Sequence, residues 1–142
     1  MLFFFKAFIV ASALLAYGCG HGSHSIKCVI VSGQSVCFIR EVWGLNGDRV
    51  VLTTSTNVCH QPSAETDYVS DALGAGHSVY YKIEDGKLHV YGSIGQMIKP
   101  RKVFPVEVEF PNLMNPEESE LRKDGYSRLP LEKMTWCLSD LK

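Results

Sequence analysis

"IKCVIVSGQSVCFIREVWGL", residues 26–45, holds two runs rich in β-branched and aromatic residues on either side of Ser32-Gly33. Such runs, broken by a pair of small residues, read as a β-hairpin. With Ser32 and Gly33 as a two-residue turn, Val31 faces Gln34, and each step outward keeps the pairing until Cys28 lies opposite Cys37. Counting from the turn, positions 28 and 37 form a non-hydrogen-bonded pair, where side chains approach most closely. A cross-strand disulfide is allowed there. A four-residue loop would shift the register and remove the pairing, so the bridge depends on the shorter turn.

Working outward, the second run meets "LNGDRVVLTTST" (45–56), where Asn46-Gly47 is a strong hairpin signal because both residues tolerate the positive φ of a type I′ turn. Residues 26–31, 35–44 and 48–55 are therefore expected to form a three-stranded meander. The stretch "VCHQPSAETDYVSDALGAGHS" (58–78) is polar and Gly-rich and reads as a long loop, with a short helical turn near Asp67–Leu73. "SVYYKIEDGKLHVYGSI" (78–94) alternates about Asp85-Gly86, placing Ile83 against Leu88, Tyr81 against Val90 and Tyr80 against Tyr91. Tyr80 and Tyr91 then lie on the opposite face from Tyr81. "KVFPVEVEF" (102–110) is a further strand, and Pro105, which cannot donate to a ladder, puts it at an edge. "NPEESELRKDG" (115–125) reads as a short helix with Asn115 as N-cap, Pro116 in its first turn, acids early and bases late. "KMTWCLSD" (133–140) closes the chain as a last strand carrying Cys137. Short strands with tight turns point to an all-β fold with one short helix: an antiparallel sandwich or small open barrel built from hairpins.

The first 18 residues differ from the rest. They carry Lys6, no acid, and an apolar run from Ala7 to Tyr17. That run is shorter than the roughly 20 residues that cross a bilayer as a helix, and it matches the core of a secretory signal peptide. Small residues at Ala16 and Gly18 suit cleavage before Cys19. The chain is then expected to divide into a signal peptide (1–18), a tether (19–25) and one β-rich domain (26–142). Loss of Lys6 leaves 13 of the 14 basic residues against 15 acidic ones, so the formal charge moves from −1 to −2. No basic face for nucleic acid is implied.

Five cysteines follow the cut: Cys19, Cys28, Cys37, Cys59 and Cys137. In an oxidising compartment four can make two disulfides. A Cys59–Cys137 bridge would tie the last strand to the body and give ~2–4 kcal/mol. The fifth, Cys19 in "LLAYGCGHGSHS" (14–25), sits as in the lipobox of bacterial lipoproteins, although Leu15 stands one place earlier than usual. Lipidation at Cys19 and a flexible Gly/Ser tether are expected; a metal site of Cys19, His21 and His24 would have to form on a mobile leader. Export and a lipid anchor place the protein in the periplasm, on a membrane expected to be the outer one.

No catalytic constellation emerges. "YGSIGQ" is not G-x-S-x-G, and H-E-x-x-H is lacking. Cys59 and His60 are adjacent, but a dyad needs side chains that converge in space, and strand neighbours point apart. His60, His77 and His89 are well separated, although a folded sheet could bring His77 and His89 together. Glu117, Glu118 and Glu120 suit a solvated helix. No cofactor is implied.

The short signal ending in "GC", the strand "QSVCFIRE" (34–41), the later Cys59 and the hairpin "VYYKIEDGKLHVYG" (79–92) resemble small periplasmic lipoproteins that act as immunity proteins against type VI secretion effectors. The likeness spans roughly residues 14–92. It implies a non-enzymatic protein whose partner is a cognate envelope-targeting toxin, blocked by a loop or hairpin inserted into its active-site cleft. By that analogy the 60–76 loop, with Asp67 and Tyr68, and the tyrosines Tyr80 and Tyr91 are the partner-binding residues. The alternative is a ligand- or metal-binding envelope lipoprotein using His77 and His89 or a sandwich cavity; an enzyme is the third class.

Overall fold

The computed structural model describes residues 22–43, 47–70, 78–92, 97–129 and 135–137. Residues 1–18, Cys19, His21 and His77 lie outside the described residues, as does Ser93.

Strands β1 (Ser23–Val31), β2 (Gln34–Trp43) and β3 (Gly47–Thr53) form the expected meander. Val31 pairs with Gln34 and Cys28 with Cys37, and those two cysteines are joined in a disulfide. The six-stranded sheet continues through β4 (Tyr68–Ser70) to β7 (Met97–Ile98), and β10 (Thr135–Trp136) pairs with the other side of β1. A four-stranded sheet runs in the order β8 (Val108–Glu109), β6 (Lys87–Gly92), β5 (Val79–Glu84), β9 (Ser127–Arg128). In β5 and β6, Ile83 faces Leu88, Tyr81 faces Val90 and Tyr80 faces Tyr91, as the alternation requires. Both sheets are open. All pairings are antiparallel except the short one between β6 and β8.

The sheets face one another across an apolar core. Val36 and Phe38 of β2, Val50 and Leu52 of β3, and Val79, Leu88 and Val90 of β5 and β6 meet there. The rings of Phe38 and Tyr81 are 5.4 Å apart. Arg40 shares the core-facing side of β2, since alternate residues share a face. It forms a buried ion pair with Asp48, its Nε 3.0 Å from Oδ1. Removing one partner would strand a buried charge, at a cost of about 3–5 kcal/mol.

Five local expectations give way to tertiary context. Residues 68–70 are a strand rather than part of a helical turn: Tyr68 enters the core, and the Ser70 hydroxyl accepts the Val50 N–H at 3.0 Å. A turn at Asn46-Gly47 would face Leu45 with Asp48, yet Gly47 lies opposite Trp43. Gly47 is required for space, because a Cβ there would collide with the Trp43 indole. The tether is shorter than expected, since Ser23, His24 and Ser25 belong to β1, where Ser25 is buried and His24 reaches Glu41 at 3.3 Å.

The 102–110 strand shrinks to Val108–Glu109. It does lie at an edge, but the preceding segment leaves the ladder to drive Phe104 and Val106 into the core. Helix α1 (Glu118–Lys123) starts after an extended Glu117, so Asn115 is not its N-cap; Asn115 instead has a φ of 42°. The Glu120 carboxylate accepts the Glu117 N–H at 3.0 Å, the half of a capping box that ties the entry down.

The second bridge, Cys59–Cys137, joins residues 78 apart, against 9 for Cys28–Cys37. Chain-entropy reasoning gives about 4.5 kcal/mol for the long link and about 2.6 kcal/mol for the short one. The pair Cys59→Ala/Cys137→Ala should therefore lose about 2 kcal/mol more than Cys28→Ala/Cys37→Ala in urea unfolding. Equal losses would show that the long link does not constrain the unfolded chain.

Candidate binding surface

Beyond β3 the chain folds by short side-chain-to-backbone bonds. Thr53 Oγ1 accepts the Ser55 N–H, Ser55 Oγ the Asn57 N–H, and Asn57 Oδ1 the Cys59 N–H. Each spans two residues, the pattern by which Ser, Thr and Asn stabilise turns. Asp67 then gathers the loop. Its Oδ2 accepts the Ser63 N–H at 2.8 Å and lies 2.7 Å from His60 Nε2, and Oδ1 accepts the Thr66 hydroxyl at 3.2 Å. Burial pushes its carboxyl pKa up, but the bonds from Ser63, His60 and Thr53 outweigh that and hold it below the ordinary value. Segment 99–107, a strap crossing the end of the sandwich, is fastened to this loop. The Arg101 and Lys102 N–H groups donate to Ala64 and Glu65 carbonyls, and the Arg101 guanidinium pairs with Glu65 at 2.8 Å.

Two hairpin tips meet at the same end. Ser32 and Gly33 have φ of 48° and 79°, and Asp85 and Gly86 have 52° and 72°, so both tips are two-residue turns with positive φ throughout. The Ser32 hydroxyl donates to the Gly86 carbonyl at 3.2 Å, locking one sheet's turn to the other's. Ile30 is 64% exposed and Ile83 45%, and the Cys28–Cys37 bridge braces the first tip from its exposed edge. The strap arrives beside the second tip, where Lys87 Nζ lies 2.9 Å from Glu107 and 3.0 Å from Glu109; these carboxylates hold its ammonium well above the usual lysine pKa.

The residues expected to touch a partner are mostly interior. Asp67 is the loop anchor and Tyr68 a core residue, its ring 5.1 Å from that of Phe104. Tyr80 and Tyr91 do share the face opposite Tyr81, but that face is covered: Tyr80 packs with Leu121 of α1 and with Tyr126, and Tyr91 is half-buried beside them. Of the four, Tyr91 alone has appreciable surface to offer. It borders a recess of about 250 Å³ that also includes Ser78 and Glu118. Glu118 is held below the usual carboxylate range first by its bond to Arg122.

The described histidines, His24, His60 and His89, each meet a different carboxylate. His24 pairs with Glu41, His60 with Asp67, and His89 Nδ1 sits 3.4 Å from Glu109. Among the described residues no cluster of three or more metal-donor side chains forms. Cys59 is spent in its disulfide and His60 turns to Asp67, so the two do not form a dyad.

Sequence reading did not single out the joined tips or the strap. The tips were legible one at a time, but their meeting is a contact between sheets. The strap had a visible signal, three cations in "KPRK" (99–102), of which the expected edge strand at 102–110 takes in only Lys102. Comparison with protein-family models, curated proteins and solved structures finds no match.

The sign of the Asp67 shift sets an acid limit. A carboxyl with a depressed folded pKa adds stability above its unfolded value, about 3.9, and loses it as pH falls through the folded one. Asp67→Asn should cost about 1–3 kcal/mol near neutrality. It should also flatten the decline of Tm with acidification below about pH 4, measured by circular dichroism. An unaltered decline would mean that Asp67 is not the group responsible.

Proposed function

We propose that this is an exported, non-enzymatic binding domain that neutralises a cognate envelope-targeting toxin by occluding its active site. The observation that carries the reading is the pair of locked turns at one end of the sandwich. A protrusion already fixed by two positive-φ turns, an inter-sheet hydrogen bond and a disulfide loses little conformational entropy on insertion into a cleft. Exposed isoleucines close to the tips supply apolar contact.

Geometry favours this end as the outward one. β1 enters at Ser23 and reaches the tip after 9 residues, a run of about 27 Å at ~3.4 Å per residue. Were Cys19 lipidated, the anchor would lie at the Ser23 end, leaving the tips facing the periplasm. Two disulfides agree with an oxidising exported environment.

The test is capture of the partner from envelope extracts with tagged 22–142, followed by assay of the purified partner on isolated cell-wall sacculi and on membrane lipid. A hydrolase silenced by equimolar addition of the domain supports the reading. A partner that stays active in the complex, or none that attacks the envelope, overturns it. Ile30→Glu and Ile83→Glu should each weaken inhibition about tenfold or more, as loss of an apolar anchor does, with Tm unchanged because both side chains are already exposed.

A further inference from the structure

The strap carries a feature at odds with the rest of the molecule. The chain is net negative, yet Lys99, Arg101 and Lys102 fall within four residues that contain no acid. The strap overhangs a groove of about 560 Å³, floored by the nearly buried Tyr68, Phe104 and Val106 and rimmed by the exposed Val103 and half-buried Val108. Arg101 is paired with Glu65, and Glu107 on the same groove shares Lys87 with Glu109. Among the described residues Lys99 and Lys102 have no ion-pair partner. Among the described residues the groove therefore presents two ammonium groups outside any ion pair. Val103 beside them is 96% exposed and Ile98 56%.

We propose that this groove docks an acidic, partly apolar peptide segment of the protein partner, with its carboxylates on Lys99 and Lys102 and its apolar side chains against Val103 and Val108. This rests on the reading of the domain as a protein binder and adds the chemistry of the partner. Charge complementarity selects carboxylates: exposed cations steer an acidic partner and penalise a basic one. Shape and position favour a peptide over a membrane, because the groove is concave and lies at the end remote from Ser23, beside the tip where Lys87 meets Glu107. The strap also has a fixed backbone, through its bonds to Ala64 and Glu65, so docking need not first order it.

The experiment uses purified 22–142 and a fluorescein-labelled hexapeptide of alternating glutamate and leucine, read by anisotropy. The same peptide with lysine for glutamate and vesicles of phosphatidylglycerol are run in parallel. The variants are K99Q/K102Q and K123E, which change net charge equally; Lys123 is an exposed residue of α1, away from the groove. All three side chains are exposed, so the fold should survive, and Tm verifies it. The expected result is saturable binding of the acidic peptide, weakened about tenfold by K99Q/K102Q and by raising salt from about 50 to about 300 mM. K123E should leave it unchanged and the lysine peptide should not bind. Failure of the acidic peptide to bind, equal weakening by K123E, or Lys99- and Lys102-dependent binding of vesicles alone would overturn the proposal. Peptide binding without toxin inhibition would leave the groove assignment standing while removing the toxin.

Discussion

The architecture depends on a two-residue turn. Because Ser32 and Gly33 both adopt positive φ, Val31 is held opposite Gln34, and the register of the longest hairpin follows from that pair. Side chains alternate along a strand, so a slip of one residue would carry Val36 and Phe38 out of the core and move Cys37 away from Cys28. With the register set, β3 pairs on the far side of β2, and the other sheet closes over Phe38 and Leu52. The disulfide then makes the register covalent.

A second constraint is polar. A loop running from the end of β3 to β4 would leave many backbone groups unpaired if it simply crossed the sandwich. Asp67 resolves this by burying one carboxylate where backbone, hydroxyl and imidazole donors converge. The strap is bonded to that loop, so the order of the basic segment traces back to a buried acid. Toward the other end of β2, Arg40 and Asp48 form a buried ion pair between neighbouring strands. The tip end carries the exposed Ile30 and Ile83.

What could be read from the chain followed from local rules. Both two-residue turns at Ser32-Gly33 and Asp85-Gly86, the pairings they impose and the Cys28–Cys37 bridge came from spacing alone, because the strand period is short and the turn chemistry narrow. Where partners lay far apart in sequence, local rules failed. The segment 68–70 has no strand signal long enough to read, and becomes a strand because β3 is there to pair with it. Tyr80 and Tyr91 were placed correctly on their strands, yet whether that face met water depended on a helix some thirty residues later.

The sequence by itself determined the all-β fold class, the registers of the hairpins at Ser32-Gly33 and Asp85-Gly86 and the cysteines available for bridging, since these rest on alternation and turn propensities within about ten residues. Only the tertiary structure decided which surface is exposed. Burial is a relation between segments distant in the chain: it turned Asp67 and Tyr68 inward, covered Tyr80, joined the two tips, and left Lys99 and Lys102 exposed beside a groove.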